Sequence, residues 1–146
     1  MLRGEYSHNI DTKGRLIIPA KFREDLGENF FITKGIEKCL YVYPENEWNI
    51  FEKELNELHT TTDKKARDLA HFFQGSAIEG ELDKQGRTLL PSTLRGFAHL
   101  EKEVVFIGMG KRAEIWDKAR WDAKNAELEE NIEDIASDME ASGFSI

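Results

Sequence analysis

The pattern of apolar and polar residues predicts the same order of elements twice along the chain. Short strands are expected at 5–10 and 77–82, and each is followed after a turn by a short strand with apolar residues, at 16–18 and 88–90. A proline follows the second strand of each half, and the residues at 19–26 and 91–100 predict short helices, since proline fits the first helical position. A hairpin is expected next in each half. Its turn holds Gly35 in the first half and Gly108 and Gly110 in the second.

Amphipathic segments predict longer helices after each hairpin. Residues 45–58 and 63–74 place apolar side chains on one face, and Thr62 or Asp63 is the expected N-cap of the second segment. A last helix is expected from Asp117 to about Ala141. It spaces its apolar residues as a coiled-coil seam of about two heptads, too short to decide between packing on its own chain and pairing with a neighbour. The seam residues are Leu128, Ile132, Ile135 and Met139.

The two halves share an internal repeat. Residues 10–19 read Ile-Asp-Thr-Lys-Gly-Arg-Leu-Ile-Ile-Pro, and they align without gaps on residues 82–91, which read Leu-Asp-Lys-Gln-Gly-Arg-Thr-Leu-Leu-Pro. The similarity continues through the following hairpin to Trp48 and Trp121, so each copy covers about 45 residues. Such a length predicts two copies of one structural module.

Composition describes a folded chain with an uneven charge. Of the 146 residues 40% are hydrophobic, and the net charge is −8. The segment from Asp117 to Ile146 holds nine acidic and three basic residues, whereas residues 1–24 hold five basic and three acidic ones. No apolar run approaches the roughly 20 residues that span a bilayer, no signal peptide is visible, and Cys39 has no partner for a disulfide. These features predict a cytosolic protein.

Motifs for catalysis are missing from the sequence. The four histidines are scattered without metal-ligand spacing, and neither a nucleophile motif nor a phosphate-binding glycine loop is present. The sequence therefore predicts no enzymatic activity, and it indicates no cofactor, metal or small-molecule ligand.

The repeated Asp-x-x-Gly-Arg motif is the candidate for function. Asp favours turns, Gly tolerates a positive φ, and Arg presents a planar fork of donors that suits phosphate or a guanine edge. A purely structural turn, with Arg paired to Asp, is the favoured interpretation for one copy. Two copies favour a functional role, and the two interpretations are compatible. Further phosphate contacts are expected from Arg3, Lys21, Arg23 and Arg95.

At these residues the chain resembles the MraZ family of bacterial transcriptional regulators. The similarity lies in residues 4–6 (Gly-Glu-Tyr), 10–23 and 82–91, although Leu2-Arg3-Gly4 differs from the family's usual Phe-x-Gly. The resemblance implies a mixed α+β, β-rich fold. Two tandem SpoVT-AbrB (swapped-hairpin) modules would form an intrachain pseudo-dimeric β-barrel with flanking helices and a C-terminal helix. It makes the motif residues a DNA-contacting signature, carried here by Asp11, Lys13, Gly14, Arg15, Asp83, Lys84, Gly86 and Arg87.

The resemblance also implies partners. A ring-like homo-oligomer would bind double-stranded DNA at short direct repeats upstream of its own cell-division and cell-wall operon and usually repress it, in the cytoplasm and at the nucleoid. The expected modules are 5–47 and 76–119, with a helical connection at 48–75 and an acidic C-terminal helix at 120–146. One alternative is a structural or protein-interaction oligomer in which the motif is only a turn. Another is the DNA-binding part of an antitoxin, which the full second copy and the lack of a separate toxin-binding tail disfavour.

Overall fold

The computed structural model describes residues 1–146 and confirms the predicted order of elements in both halves. The first half contains β1 (Leu2–Asn9), β2 (Arg15–Ile17), α1 (Ala20–Leu26), β3 (Phe30–Lys34), β4 (Leu40–Pro44), α2 (Glu45–Asn56) and α3 (Lys64–Phe73). The second contains β5 (Ile78–Gly80), β6 (Arg87–Leu89), α4 (Ser92–Phe97), β7 (Glu103–Gly110), β8 (Ala113–Asp117) and α5 (Lys118–Ala141). The Asp63 carboxylate accepts from the backbone N–H groups of Lys65 and Ala66, so Asp63 is the N-cap of α3.

Some boundaries differ from the prediction. Strand β1 begins at Leu2 rather than Glu5, because its backbone pairs with β7 along its whole length although its residues are mostly polar. Strand β5 is three residues long, because only these pair with β3. Gly108 lies within β7 rather than in the turn. A Cβ at Gly108 would overlap the backbone of Arg3, so a glycine is needed there for β1 to approach.

Strands are exchanged between the two halves. The larger sheet is antiparallel and has the order β1-β7-β8-β4-β3-β5. Strand β1 pairs with β7 of the second half, and β5 pairs with β3 of the first. The two halves therefore meet about a local two-fold axis at the β4–β8 pair, where Tyr41 lies opposite Glu114. The smaller sheet is a ribbon of β2 and β6. Its central pair, Leu16 opposite Thr88, lies on the local two-fold axis as Tyr41 and Glu114 do in the larger sheet.

Side chains alternate between two cores on the two faces of the larger sheet. One core lies between this sheet, the ribbon and the short helices; Phe22, Phe106 and Leu94 are almost fully buried in it. The other lies under α2, α3 and α5, where Trp48, Phe73 and Trp121 pack together with apolar side chains from β4, β7 and β8. Strand β4 contributes to both cores, which explains why it is an uninterrupted apolar run.

This architecture confirms the mixed α+β class with two tandem copies and a C-terminal helix. The strands form two separate hydrogen-bonded sheets, so a closed barrel is not shown. Helix α5 begins against the second core, where Trp121 is buried and Leu128 packs at its edge. Further along, Ile132, Ile135 and Met139 are 52%, 40% and 48% exposed, so only the start of the predicted seam packs on the chain itself.

Candidate nucleic-acid interface

The first copy of the motif is a turn that fixes the direction of Arg15. One carboxylate oxygen of Asp11 accepts from the backbone N–H groups of Lys13 and Arg15, both at 2.9 Å. The other accepts from Nε of Arg15 at 2.7 Å. Gly14 has a φ of +81° and donates its N–H to the Asp11 carbonyl. The aspartate thus orders both the turn and the arginine.

The second copy repeats this geometry. The Asp83 carboxylate accepts from the N–H groups of Gln85 and Arg87 and, at 2.7 Å, from Nε of Arg87. Gly86 has a φ of +76°. Both a structural and a binding role are compatible with this arrangement, since each pairing engages Nε and no hydrogen bond joins the terminal guanidinium nitrogens to the aspartate.

Hydrogen bonding keeps both aspartates ionised. The backbone N–H of Arg15 is the main reason that the pKa of Asp11 lies below its ordinary value, and the Arg15 side chain and the Lys13 N–H act in the same direction. In the second turn, the Arg87 N–H lowers the pKa of Asp83 in the same way. Each carboxylate therefore stays deprotonated and accepts a hydrogen bond from its arginine.

The β2–β6 ribbon brings the two turns together. Arg15 pairs with Leu89, and Ile17 pairs with Arg87. Because Leu16 and Thr88 point into the core, the alternate residues form the outer face: Arg15, Ile17, Arg87 and Leu89. The N–H of Leu90 donates to the Gly14 carbonyl, and the N–H of Ile18 donates to the Gly86 carbonyl, so each turn is tied to the strand of the other copy.

The two turns also approach each other through side chains. Nη1 of Arg87 lies 3.9 Å from a carboxylate oxygen of Asp11. An open groove of about 640 Å³ runs beside the ribbon, and Lys13, Arg15, Asp83 and Arg87 are among its lining residues. Lys84 is exposed in the second turn, one position earlier than Lys13 in the first. The six charged motif residues therefore lie around one ribbon, while Gly14 and Gly86 are buried within the two turns.

The four additional basic residues do not share one location. Nε of Arg23 donates to the Ile18 carbonyl and Nε of Arg95 donates to the Leu90 carbonyl, both at 2.9 Å, which places both guanidinium groups beside the turns. Lys21 is exposed on α1. Arg3 lies opposite Met109, six residues before the end of β1, which is about 20 Å along an extended strand. The expectation that Arg3 adds to this surface is not supported by its position.

Two apolar residues of the surface were not identified from the sequence. Ile17 and Leu89 are 38% and 59% exposed on the outer face of the ribbon, although an apolar run next to a proline suggests a core strand. Strand alternation was the signal that could have identified them. Successive side chains of a strand point to opposite faces, so burial of Leu16 and Thr88 turns Ile17 and Leu89 outward.

The structure contains no group of three or more His, Cys, Asp or Glu side chains placed to hold a metal ion. None of its helices combines the length and the apolar character that a membrane crossing requires.

The fold and the surface define an internally duplicated α+β protein that presents two arginine-bearing turns side by side. Comparison with known proteins agrees with this duplication. The family model described as "MraZ protein, putative antitoxin-like" matches residues 1–71 and again residues 73–141.

Curated relatives match nearly the whole chain. A protein of Halothermothrix orenii named "Transcriptional regulator MraZ" is 50% identical over 144 residues, which is 99% of this chain and 100% of the relative. Proteins of the same name from Desulforamulus reducens and Natranaerobius thermophilus are 50% and 47% identical over 139 residues, which is 95% of this chain and 97% and 96% of the relatives. The chain belongs to the MraZ family. These relatives are named as regulators and not as enzymes, which confirms the prediction that the chain is not an enzyme.

Proposed function

We propose that the protein is a transcriptional regulator that binds double-stranded DNA through its two Asp-x-x-Gly-Arg turns. The observation that carries this proposal is the geometry of Arg15 and Arg87. Each is held through Nε by its own aspartate, and the ribbon places the two side by side on an outer face. Preordered guanidinium forks suit phosphate oxygens and the O6/N7 edge of guanine. The name of these relatives, transcriptional regulator, supports the regulatory role.

The proposed DNA site is a set of short direct repeats upstream of the protein's own cell-division and cell-wall operon, with repression as the outcome. One pair of turns offers few cations, and the whole chain has a net charge of −8, so a single chain would bind weakly. Several chains on successive repeats would raise the effective concentration of each further contact. Subunits related by rotation in a ring suit direct repeats better than a two-fold dimer, which matches palindromes.

The exposed end of α5 supports self-association. Ile132, Ile135 and Met139 follow the predicted seam beyond the chain's own core and have no partner within the chain. We propose that this row contributes to a ring-like homo-oligomer. Light scattering of Ile135→Glu against the unsubstituted protein tests this, with Asn131→Glu as a control for added charge on the same helix. An unchanged particle mass for Ile135→Glu excludes the row from the interface.

The DNA-binding proposal is tested with the purified protein and a duplex that carries its own upstream region. A footprint locates the site, and a fluorescence-anisotropy titration gives Kd. Arg15→Ala is expected to weaken binding about 5- to 150-fold while the particle mass stays unchanged. Lys111→Ala is the matched control, because it removes one exposed cation at the opposite end of β7 from the turns. Equal binding by Arg15→Ala and the unsubstituted protein contradicts the proposal.

The first turn is proposed to contribute more than the second. Lys13 stands beside Arg15, whereas the corresponding position in the second turn is Gln85. Arg15→Ala is therefore expected to weaken binding more than Arg87→Ala. Equal or reversed losses would mean that local charge does not rank the two turns. Absence of any salt-dependent binding at low ionic strength would favour a structural oligomer in which the motif is only a turn.

A further inference from the structure

The four arginines nearest the turns share one mode of attachment. Arg15 and Arg87 donate from Nε to aspartate oxygens, and Arg23 and Arg95 donate from Nε to backbone carbonyl oxygens. None of the four donates a hydrogen bond from its terminal nitrogens to another group of the chain. Each guanidinium is thus held in a fixed direction through Nε, and its terminal nitrogens make no hydrogen bond within the chain, although Nη1 of Arg87 lies 3.9 Å from a carboxylate oxygen of Asp11.

The attachment of Arg23 and Arg95 crosses between the copies. Arg95 follows the second turn in the sequence, but its guanidinium lies over Gly14 of the first turn. A Cβ added at Gly14 would stand 3.1 Å from both Cζ and Nη2 of Arg95. In the same way, Arg23 of the first copy lies over Gly86, where an added Cβ would stand 2.6 Å from Nη2. Both glycines have a positive φ, which disfavours any side chain, and the other copy's arginine adds crowding that is slight at Gly14 and severe at Gly86.

The backbone supports this crossing. Leu90, whose carbonyl holds Arg95, donates its own N–H to the Gly14 carbonyl at 2.9 Å, and Ile18 makes the matching bond to Gly86 at 3.0 Å. The residue that anchors each arginine is therefore hydrogen-bonded to the turn that the arginine covers. Arg95 is therefore tied to the first turn and Arg23 to the second, although each belongs in sequence to the other copy.

We propose that the protein has two composite phosphodiester-binding sites, each built from both copies. One consists of Arg15 with Arg95 at the Gly14 turn, and the other of Arg87 with Arg23 at the Gly86 turn. The second arginine of each site contacts the DNA backbone next to the contact of the first. This inference rests on the proposed DNA-binding function and adds which residues act together.

Double-mutant cycles on the full-length protein and its own upstream duplex test this pairing. Residues that share a contact give losses that depart from the product of the single losses, whereas independent residues multiply. Arg15→Ala with Arg95→Ala is expected to depart from that product by at least threefold, and by more than Arg15→Ala with Arg23→Ala. Arg87→Ala is expected to show the reverse, with the larger departure alongside Arg23→Ala. Arg→Gln versions of the same four positions provide the cycle if an alanine variant does not fold.

The salt dependence of Kd separates a DNA contact from a purely structural role. Each lost phosphate contact lowers the slope of log Kd against log salt by about 0.9 for every copy bound. Arg95→Ala and Arg23→Ala are expected to lower the slope as Arg15→Ala does, with Lys111→Ala leaving it unchanged. If Arg15→Ala weakens binding but its larger departure occurs with Arg23, or both departures are equal, or the slope is unchanged in Arg95→Ala, the composite sites are wrong and the DNA-binding proposal stands. If no arginine variant changes Kd, both fail.

Discussion

Substituting alanine at Gly86 tests the crowded turn directly. Gly86 has a φ of +76°, a conformation that costs an L-residue about 1–2 kcal/mol. The new Cβ would also stand 2.6 Å from Nη2 and 2.8 Å from Nε of Arg23, so that side chain must move. Moving it breaks the 2.9 Å bond from Nε to the Ile18 carbonyl, which adds about 1 kcal/mol. The expected loss in the free energy of unfolding is therefore about 2–3 kcal/mol.

Gly110→Ala is the matched control for backbone strain. Gly110 has a φ of +82°, and the nearest atom to an added Cβ is the Met1 sulfur at 3.9 Å, which is ordinary contact. Its loss should be the strain alone, about 1–2 kcal/mol. Gly14→Ala should fall between the two, because its Cβ would stand 3.1 Å from the Arg95 guanidinium and needs only a small shift.

Denaturant unfolding at one fixed protein concentration measures these losses, since self-association makes stability depend on concentration. DNA affinity of the same samples is the second measurement, and Gly86→Ala should weaken it while Gly110→Ala should not. Equal unfolding losses for Gly86→Ala and Gly110→Ala, together with unchanged DNA affinity in both, would refute the reasoning. They would mean that the position of Arg23 over the Gly86 turn matters neither for stability nor for DNA binding.

Three further outcomes follow from single contacts. Thr88→Val should raise the free energy of unfolding by about 1 kcal/mol in a denaturant titration, because the buried Thr88 hydroxyl has no hydrogen-bond partner; a loss would contradict this. Burial first and the charge of Arg23 second lower the pKa of His8 below 6.5, so the unfolded chain binds that proton more readily. Stability should thus fall as the pH drops from about 7 to 5.5, and His8→Gln should flatten this part of the unfolding–pH curve; an unchanged slope would exclude His8 as a cause. Arg120 donates to the Glu37 carbonyl across a turn with positive φ, so Arg120→Ala should speed amide hydrogen exchange at residues 36–39; equal exchange would show that the turn holds itself.

Much of this fold follows from patterns that are local in sequence. The motif at 10–19 and 82–91 predicted both turns and both short helices, and the continued similarity predicted a hairpin in each half. Amphipathic spacing predicted α2, α3 and α5 to within a few residues. These features depend on backbone preferences and on which face of an element is apolar, and both can be read from neighbouring residues.

The specific partners across the fold could not be predicted from local sequence patterns. The exchange of β1 and β5 between the halves depends on contacts about 100 and 50 residues apart in the chain, which no local period encodes. The same holds for Arg95 over Gly14, since a lone arginine on a short helix gives no sign of which turn it covers. Arg3 was grouped with the turns by its charge, but the extended β1 separates it from them.

The facing pair Tyr41 and Glu114 shows what joining two copies in one chain permits. An assembly of two identical chains repeats every residue across its axis, so a glutamate there would face a second glutamate at close range. Here the Glu114 carboxylate is buried and accepts from Nε1 of Trp116 and Nη2 of Arg112, while the Arg112 guanidinium lies 4.0 Å from the Tyr41 ring. Fusion of the copies thus frees the middle of the sheet from self-complementarity, and the protein uses that freedom to place one Arg112–Glu114 ion pair where symmetry would impose a repulsion.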